Sequence, residues 1–283
     1  MQKVISGLFR EDQYPGVPIY IITTDAGTLI LDCPLYSEDA SEFLNAVKEL
    51  GEPRYIALHD GQRDRVLGVR EIDLPIIAHD KTREYMLTWS DTFKGASNPM
   101  GGESDSIRRI TGVKSAVPEI SFSSEFTLHL GSTEIHFLHK PGPTPGAMWV
   151  SIPEKNTIMI GDTVHISEPP FLGFADIDAW LDTLQELRDT FLKDFRVYSS
   201  RDGRIERDDV TNMARFLRKI PLRVERLSSS KEMALDAESI TAELMEDFKI
   251  PAAQSERMKL RLKAGLISLT ERLYSIEEQD GTD

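Results

Sequence analysis

Leu58-His59-Asp60-Gly61-Gln62-Arg63-Asp64-Arg65-Val66-Leu67-Gly68 sets an imidazole, two carboxylates, a carboxamide and two guanidinia directly after a short apolar run at Tyr55 to Leu58. It reads as a site loop at the end of a strand. Upstream, Pro18 to Thr24 and Thr28 to Asp32 are β-branched runs separated by Asp25-Ala26-Gly27, the signature of a hairpin. A helix follows from about Glu38 to Leu50, with Ser37 as its expected cap, Phe43, Leu44, Val47 and Leu50 on one face, and Gly51 at its end. Downstream of the loop come a strand at Ile76-Ile77-Ala78 and a helix from about Lys81 to Leu87.

The second half repeats this rhythm. Glu125 to Leu130 and Thr133 to His139 flank Gly131-Ser132 as a hairpin, and Ala147 to Ile152 and Thr157 to Ile160 flank Pro153-Glu154-Lys155-Asn156. An amphipathic helix spans Asp176 to Phe195, and Arg196 to Ser199 is a strand. From about Glu206 the chain turns helical. Residues 89–118, rich in Gly, Ser and Asp, form a loop long enough to be functional or mobile. Strand-heavy halves with helices between them predict an α+β protein of two sheets packed face to face with helices outside.

Composition removes several function classes. The 283 residues carry a formal net charge of −14, which disfavours a nucleic-acid partner because phosphate binding needs clustered Lys and Arg. No apolar run approaches a membrane span or an export signal, so a cytoplasmic protein is expected. The single cysteine, Cys33, excludes an internal disulfide and any cysteine-based zinc cluster. No phosphate-binding Gly-rich loop, dinucleotide fingerprint or Gly-x-Ser-x-Gly elbow is present.

Four landmarks in order give a resemblance. Leu29-Ile30-Leu31-Asp32, the loop at 58–68, Pro141-Gly142-Pro143-Thr144-Pro145-Gly146 and Gly161-Asp162-Thr163 resemble the metallo-β-lactamase fold superfamily over about residues 17–204. The resemblance implies a four-layer αββα sandwich over residues 1–227 and a helical C-terminal extension over 228–283. In that family the loop reads Thr-His-x-His-x-Asp-His-x-x-Gly. Here His59 stands at the Thr, Asp60 and Gln62 at the first two histidines, and Arg65 at the third, while Asp64 and Gly68 are kept. Pro143 replaces the histidine of the Pro-Gly-His-Thr-Pro-Gly turn, and Ser199-Ser200-Arg201-Asp202-Gly203 replaces the final histidine turn. Asp162 keeps the bridging aspartate.

These departures carry the functional reading. Zinc needs imidazole or thiolate donors, whereas proline offers no donor and a guanidinium stays protonated where a cation would sit. An ordinary dizinc site is therefore not expected, and no cofactor is assigned. Arg65 is expected to stand in for the metal charge by pairing with Asp64 or Asp162. The alternative is a hard divalent cation (Mg²⁺, Ca²⁺ or Mn²⁺) on Asp60, Asp64 and Asp162, with Gln62 as a further oxygen donor. The candidate pocket is His59, Asp60, Gln62, Asp64, Arg65, Pro143, Asp162, His165 and Asp202. His59 and His165 flank the motifs closely enough to serve as general bases. The function expected is a binding or regulatory protein for an unidentified small molecule or protein, with a homodimer left open. The alternative is a hydrolase of a small ester, thioester or phosphoester on a rearranged carboxylate site.

Overall fold

The computed structural model describes residues 1–97 and 99–280. Its strands run β1 (Gln2–Ile5), β2 (Leu8–Glu11), β3 (Ile19–Thr24), β4 (Gly27–Leu31), β5 (Pro53–Ala57), β6 (Ile76–His79), β7 (Thr92–Phe93), β8 (Ile110–Thr111) and β9 (Ile120–Phe122) in the first half. The second half holds β10 (Glu125–Leu130), β11 (Thr133–His139), β12 (Met148–Ile152), β13 (Thr157–Met159), β14 (Arg196–Ser199) and β15 (Gly203–Ile205). One sheet has the order β1-β2-β3-β4-β5-β6-β9 and the other β10-β11-β12-β13-β14-β15, with β7 and β8 paired as a small ribbon. The helices are α1 (Ser37–Lys48), α2 (Arg63–Val66), α3 (Asp80–Leu87), α4 (Ile177–Glu186), α5 (Leu192–Asp194), α6 (Arg207–Leu217), α7 (Ile220–Ser228), α8 (Met233–Met245) and α9 (Ser255–Asp280).

Both sheets are covered on both faces, and the sequence shows why. Side chains alternate across a strand, so Tyr20 and Ile22 of β3 face the second sheet while Ile19 and Ile21 face α1 and α3. Likewise Met148 and Val150 of β12 join the layer between the sheets, and Trp149 joins the layer under the C-terminal helices. The strands consequently read as continuous apolar runs rather than as an alternating pattern. The result is the four-layer αββα sandwich with a helical C-terminal region.

The parallel pairs place the site. β4 pairs parallel with β5, and β13 with β14. The carboxyl ends of these four strands lead directly into Asp32, the 58–65 segment, Asp162, and Ser200-Arg201. The Tyr20 hydroxyl donates to the Ser199 carbonyl at 2.9 Å, and the Met148 amide to the His59 carbonyl at 3.0 Å, which ties the two sheets together at this edge.

Several local expectations need correction. Ser37 is the first residue of α1 rather than its cap; Tyr36 holds the cap position with no side-chain hydrogen bond. The helix expected from Asp176 to Phe195 starts one residue later, with the Asp176 carboxylate accepting from the Ala179 amide, and loosens into a π-helical turn over Leu187–Phe191. The hairpin β1–β2 and the edge strands β9 and β15 have no counterpart in the sequence reading, since each is only three or four residues long. Ile107 and Val113, from the region read as a long loop, are buried with Leu35 and Leu67 in a small apolar cluster.

The chain passes from α7 to α8 across residues 229–232, yet Leu227, Leu244, Leu262, Leu266 and Trp149 share one apolar cluster. In the apolar stripe of α9, Leu262 and Leu266 are fully buried, while Leu260 and Leu273 are 42% and 43% exposed. No helix among the described residues is long and apolar enough to cross a membrane. Leu262→Ala is expected to lower unfolding free energy by about 2–5 kcal/mol, and Leu260→Ala by no more than about 0.5 kcal/mol. Urea denaturation followed by circular dichroism measures both.

Candidate functional site

Arg65 lies at the centre of the strand-end cluster with no exposure to solvent. Helix α2 is a single turn that follows Gln62, and it directs Arg65 inward. Its guanidinium meets three carboxylates: Nη1 donates to Asp32 Oδ2 at 2.7 Å, Nε lies 2.9 Å from Asp60 Oδ1, and Nη2 lies 2.7 Å from Asp162 Oδ2. The planar fork offers donors in three directions, and each direction is met by an aspartate from a different strand end.

Asp32 has a backbone φ of 69°, a left-handed conformation unusual outside glycine and costing about 1–3 kcal/mol. The surrounding contacts hold it there: its amide donates to the Ala57 carbonyl, and its carboxylate accepts from the His59 amide and binds His59 Nδ1 at 2.9 Å. The Gln62 amide caps Asp60 at 2.8 Å, and its side-chain Nε2 spans Asp60 and Asp162 at 3.3 and 3.2 Å. A second guanidinium, Arg201, lies 3.2 Å from Asp162 Oδ2 and 2.7 Å from Glu168 Oε1. A third, Arg261 of α9, donates to the Gln62 Oε1 at 3.3 Å and to the Pro169 carbonyl at 3.1 Å. Gly101 makes room for that helix: a Cβ there would stand 2.4 Å from Arg261 backbone atoms.

Electrostatics follow from this geometry. Burial alone would raise the Asp162 carboxyl, but Arg201 and Arg65 outweigh it and hold the group well below the usual carboxylate range. Burial is likewise overcome at Asp32 by Arg65 and His59. At Asp60 burial prevails, helped by Asp162 and Asp32, and the carboxyl is raised despite Arg65. Arg65 itself is held charged by all three aspartates despite its burial.

The expected residues divide into two groups. Asp60, Gln62, Arg65, Asp162 and His59 come together. Asp64 does not pair with Arg65; its Oδ1 accepts from the Ser104 amide at 2.9 Å and so anchors the turn at Glu103–Ser106. Asp202 lies outside the cluster, accepting from the amides of Ile166 and Ser167. Pro143 is buried in its turn, whose following residues Thr144, Pro145 and Gly146 line a separate chamber. His165 is buried near Asp162, but it lines a cavity of about 300 Å³ beside α6 and the residues 246–249 that follow α8. Cys33 is buried, and burial first and Asp32 second push its thiol well above the ordinary range.

Asp32, Glu168, Arg201 and Arg261 are absent from the expected set. Asp32 and Arg201 lie within motifs the sequence reading quoted, without being assigned a role. Arg261 had a signal of its own: it falls three residues after Met258 on the apolar face of α9, a cation at a core position.

The donor set does not fit a dinuclear metal centre. Among the described residues no group of three or more His, Cys, Asp or Glu is arranged to hold a metal ion. Asp32, Asp60 and Asp162 converge on the guanidinium carbon region, so a cation could enter only by displacing Arg65.

Residues 67–194 match the family described as the Metallo-beta-lactamase superfamily. The chain is similar in structure to a metallo-beta-lactamase from Pontibacter korlensis (TM-score 0.55, 16% identity), covering 75% of this chain and 99% of that one. It is similar to the DIM-1 metallo-beta-lactamase (TM-score 0.59, 15% identity), covering 77% and 96%. It is also similar to the stereoselective inverting sec-alkylsulfatase Pisa1 from Pseudomonas sp. (TM-score 0.69, 14% identity), covering 96% of this chain and 50% of that one. No match is found among curated protein sequences.

Two outcomes are expected from the cluster. Arg65→Met removes the cation shared by three buried carboxylates and should cost about 3–5 kcal/mol, with Arg65→Lys restoring little because an ammonium cannot reach three separated acceptors; equilibrium unfolding tests both. Burial pushes His165 down to about 4, against the opposing pull of Asp162 and Glu168. The unfolded chain therefore binds the proton first, and stability should fall by about 3 kcal/mol as pH drops from about 6.5 to 4. His165→Asn should flatten that part of a stability–pH curve.

Proposed function

Because the chain is a divergent member of the metallo-β-lactamase fold superfamily with a guanidinium at the focus of its strand-end carboxylates, we propose that it is a non-catalytic binding or regulatory protein. The observation that carries this reading is the three-way pairing of fully buried Arg65 with Asp32, Asp60 and Asp162. A hydrolytic centre needs an activated nucleophile within reach of substrate. Here Asp60 and Asp162 are committed to Arg65, and Asp64 to the Ser104 amide, while His59 Nδ1 is held by Asp32 and His165 lines a different cavity beside α6.

In place of the four positive charges of two zinc ions, the centre has Arg65, Arg201 and Arg261, which carry three. Guanidinia differ from metal ions in what they can do there. They neutralise carboxylates but neither bind a hydroxide nor lower the pKa of water. The centre acts as an internal fastener joining both sheets to α9, and the protein's work lies in holding a small molecule.

Metal analysis of protein purified without chelator tests this, together with a panel of ester, thioester, phosphoester and lactam substrates supplied with Zn²⁺, Mn²⁺ or Fe²⁺. The expected result is no stoichiometric metal and no turnover. One equivalent of metal lost in Asp162→Ala would overturn the metal-free centre, and turnover abolished by Asp162→Asn would establish the hydrolase instead.

A further inference from the structure

Helix α2 looks two ways. Arg65 points into the interior, while Arg63, two positions earlier and so on the opposite side of the turn, lines an open cavity of about 580 Å³ walled chiefly by residues 88–97. Its guanidinium lies over the Phe93 ring, 4.9 Å from the centroid. Tyr85 and Trp89 of the neighbouring wall meet edge to face at 5.5 Å, and Lys94 stands at the rim. Hydroxyls of Thr88, Ser90, Thr92 and Ser97 complete the lining. Among the described residues no aspartate or glutamate lines this cavity, although the whole chain carries a net charge of −14.

Tyr85 is also a wall of a second chamber of about 130 Å³. Thr82, Pro145, Gly146 and Phe174 supply most of its surface, and Phe174 packs on Tyr85 with ring centroids 5.2 Å apart. Lys81 stands at its edge, 2.9 Å from Glu84. Gln62, which bridges the buried carboxylates, is part of its floor.

We propose that this pair of cavities binds a small anion with a planar apolar body. Arg63 and Lys94 receive the carboxylate or phosphate head group, and Trp89, Tyr85 and Phe93 take the ring face. The argument is one of chemistry and place. The main cavity lies within the 300–1,000 Å³ range of small-molecule sites. Half-buried aromatic rings beside cations offer stacking together with charge. A cationic lining on a strongly acidic protein concentrates anions locally and leaves the rest of the surface repelling them. The proposal deepens the binding reading by placing its ligand, and rests on that reading only for the statement that binding is not followed by turnover.

Isothermal titration calorimetry with 2-naphthoate and 2-naphthyl phosphate, against uncharged 2-naphthalenemethanol, tests the site. Both anions are expected to bind, with the uncharged probe weaker by about tenfold, a difference of about 1.4 kcal/mol. Arg63→Gln and Lys94→Gln should each weaken the anions and leave the uncharged probe unchanged. Lys94 is exposed at the rim, which makes its variant safe for folding. Binding should also quench tryptophan emission in the wild type and not in Trp89→Phe, because Trp149 and Trp180 are fully buried elsewhere. A naphthyl phosphate preference assigns a phosphoryl ligand, and a naphthoate preference a carboxylic acid. No binding of either anion overturns the proposal, as does binding that the uncharged probe equals or that the Lys94→Gln variant retains in full. Such a failure leaves the metal content of the Arg65 centre unaffected, and metal found on Asp162 would leave this cavity's binding unaffected, so the two readings fail separately.

Discussion

A single guanidinium held between three aspartates sets the terms for the rest of this molecule. Burying Arg65 without partners would cost far more than a domain's net stability, so the carboxylates of Asp32, Asp60 and Asp162 must arrive together. Each comes from the end of a different strand, and two of those strands lie in one sheet and one in the other. The strained backbone at Asp32 goes with this arrangement, a local cost accepted where the surrounding contacts over-determine the geometry.

The centre is better understood as a constraint than as a source of stability. Buried ion pairs recover their desolvation cost only when well matched, and apolar replacements are often as stable. What the pairing does provide is a single permitted arrangement, because a shifted strand end would strand a charge. Arg201 and Arg261 extend this logic outward. Arg201 links Asp162 to Glu168, and Arg261 fixes Gln62 to the C-terminal helix, so the extension is joined to the sandwich by polar contacts as well as by its apolar cluster.

The same short helix separates interior from exterior chemistry. Arg65 satisfies buried acids, while Arg63 addresses a cavity rich in aromatic rings and hydroxyls.

How much of this was legible in the sequence differs from residue to residue. The hairpin of β3 and β4, the strands β10 to β14 and the αββα layering follow from β-branched runs and turn residues, because those are local properties of the chain. The departures at Asp60, Gln62, Arg65 and Pro143 were legible through the resemblance to the metallo-β-lactamase fold superfamily, as was a place for Asp162 beside a cation. That Arg65 takes three aspartates and not Asp64, that Asp202 holds a neighbouring turn instead, and that Arg261 arrives from two hundred residues away could not. Those pairings depend on where strand ends meet across two sheets and on which face of α9 meets the site. Local sequence determines which elements form and which charges need partners; only packing at long range decides which partners they find.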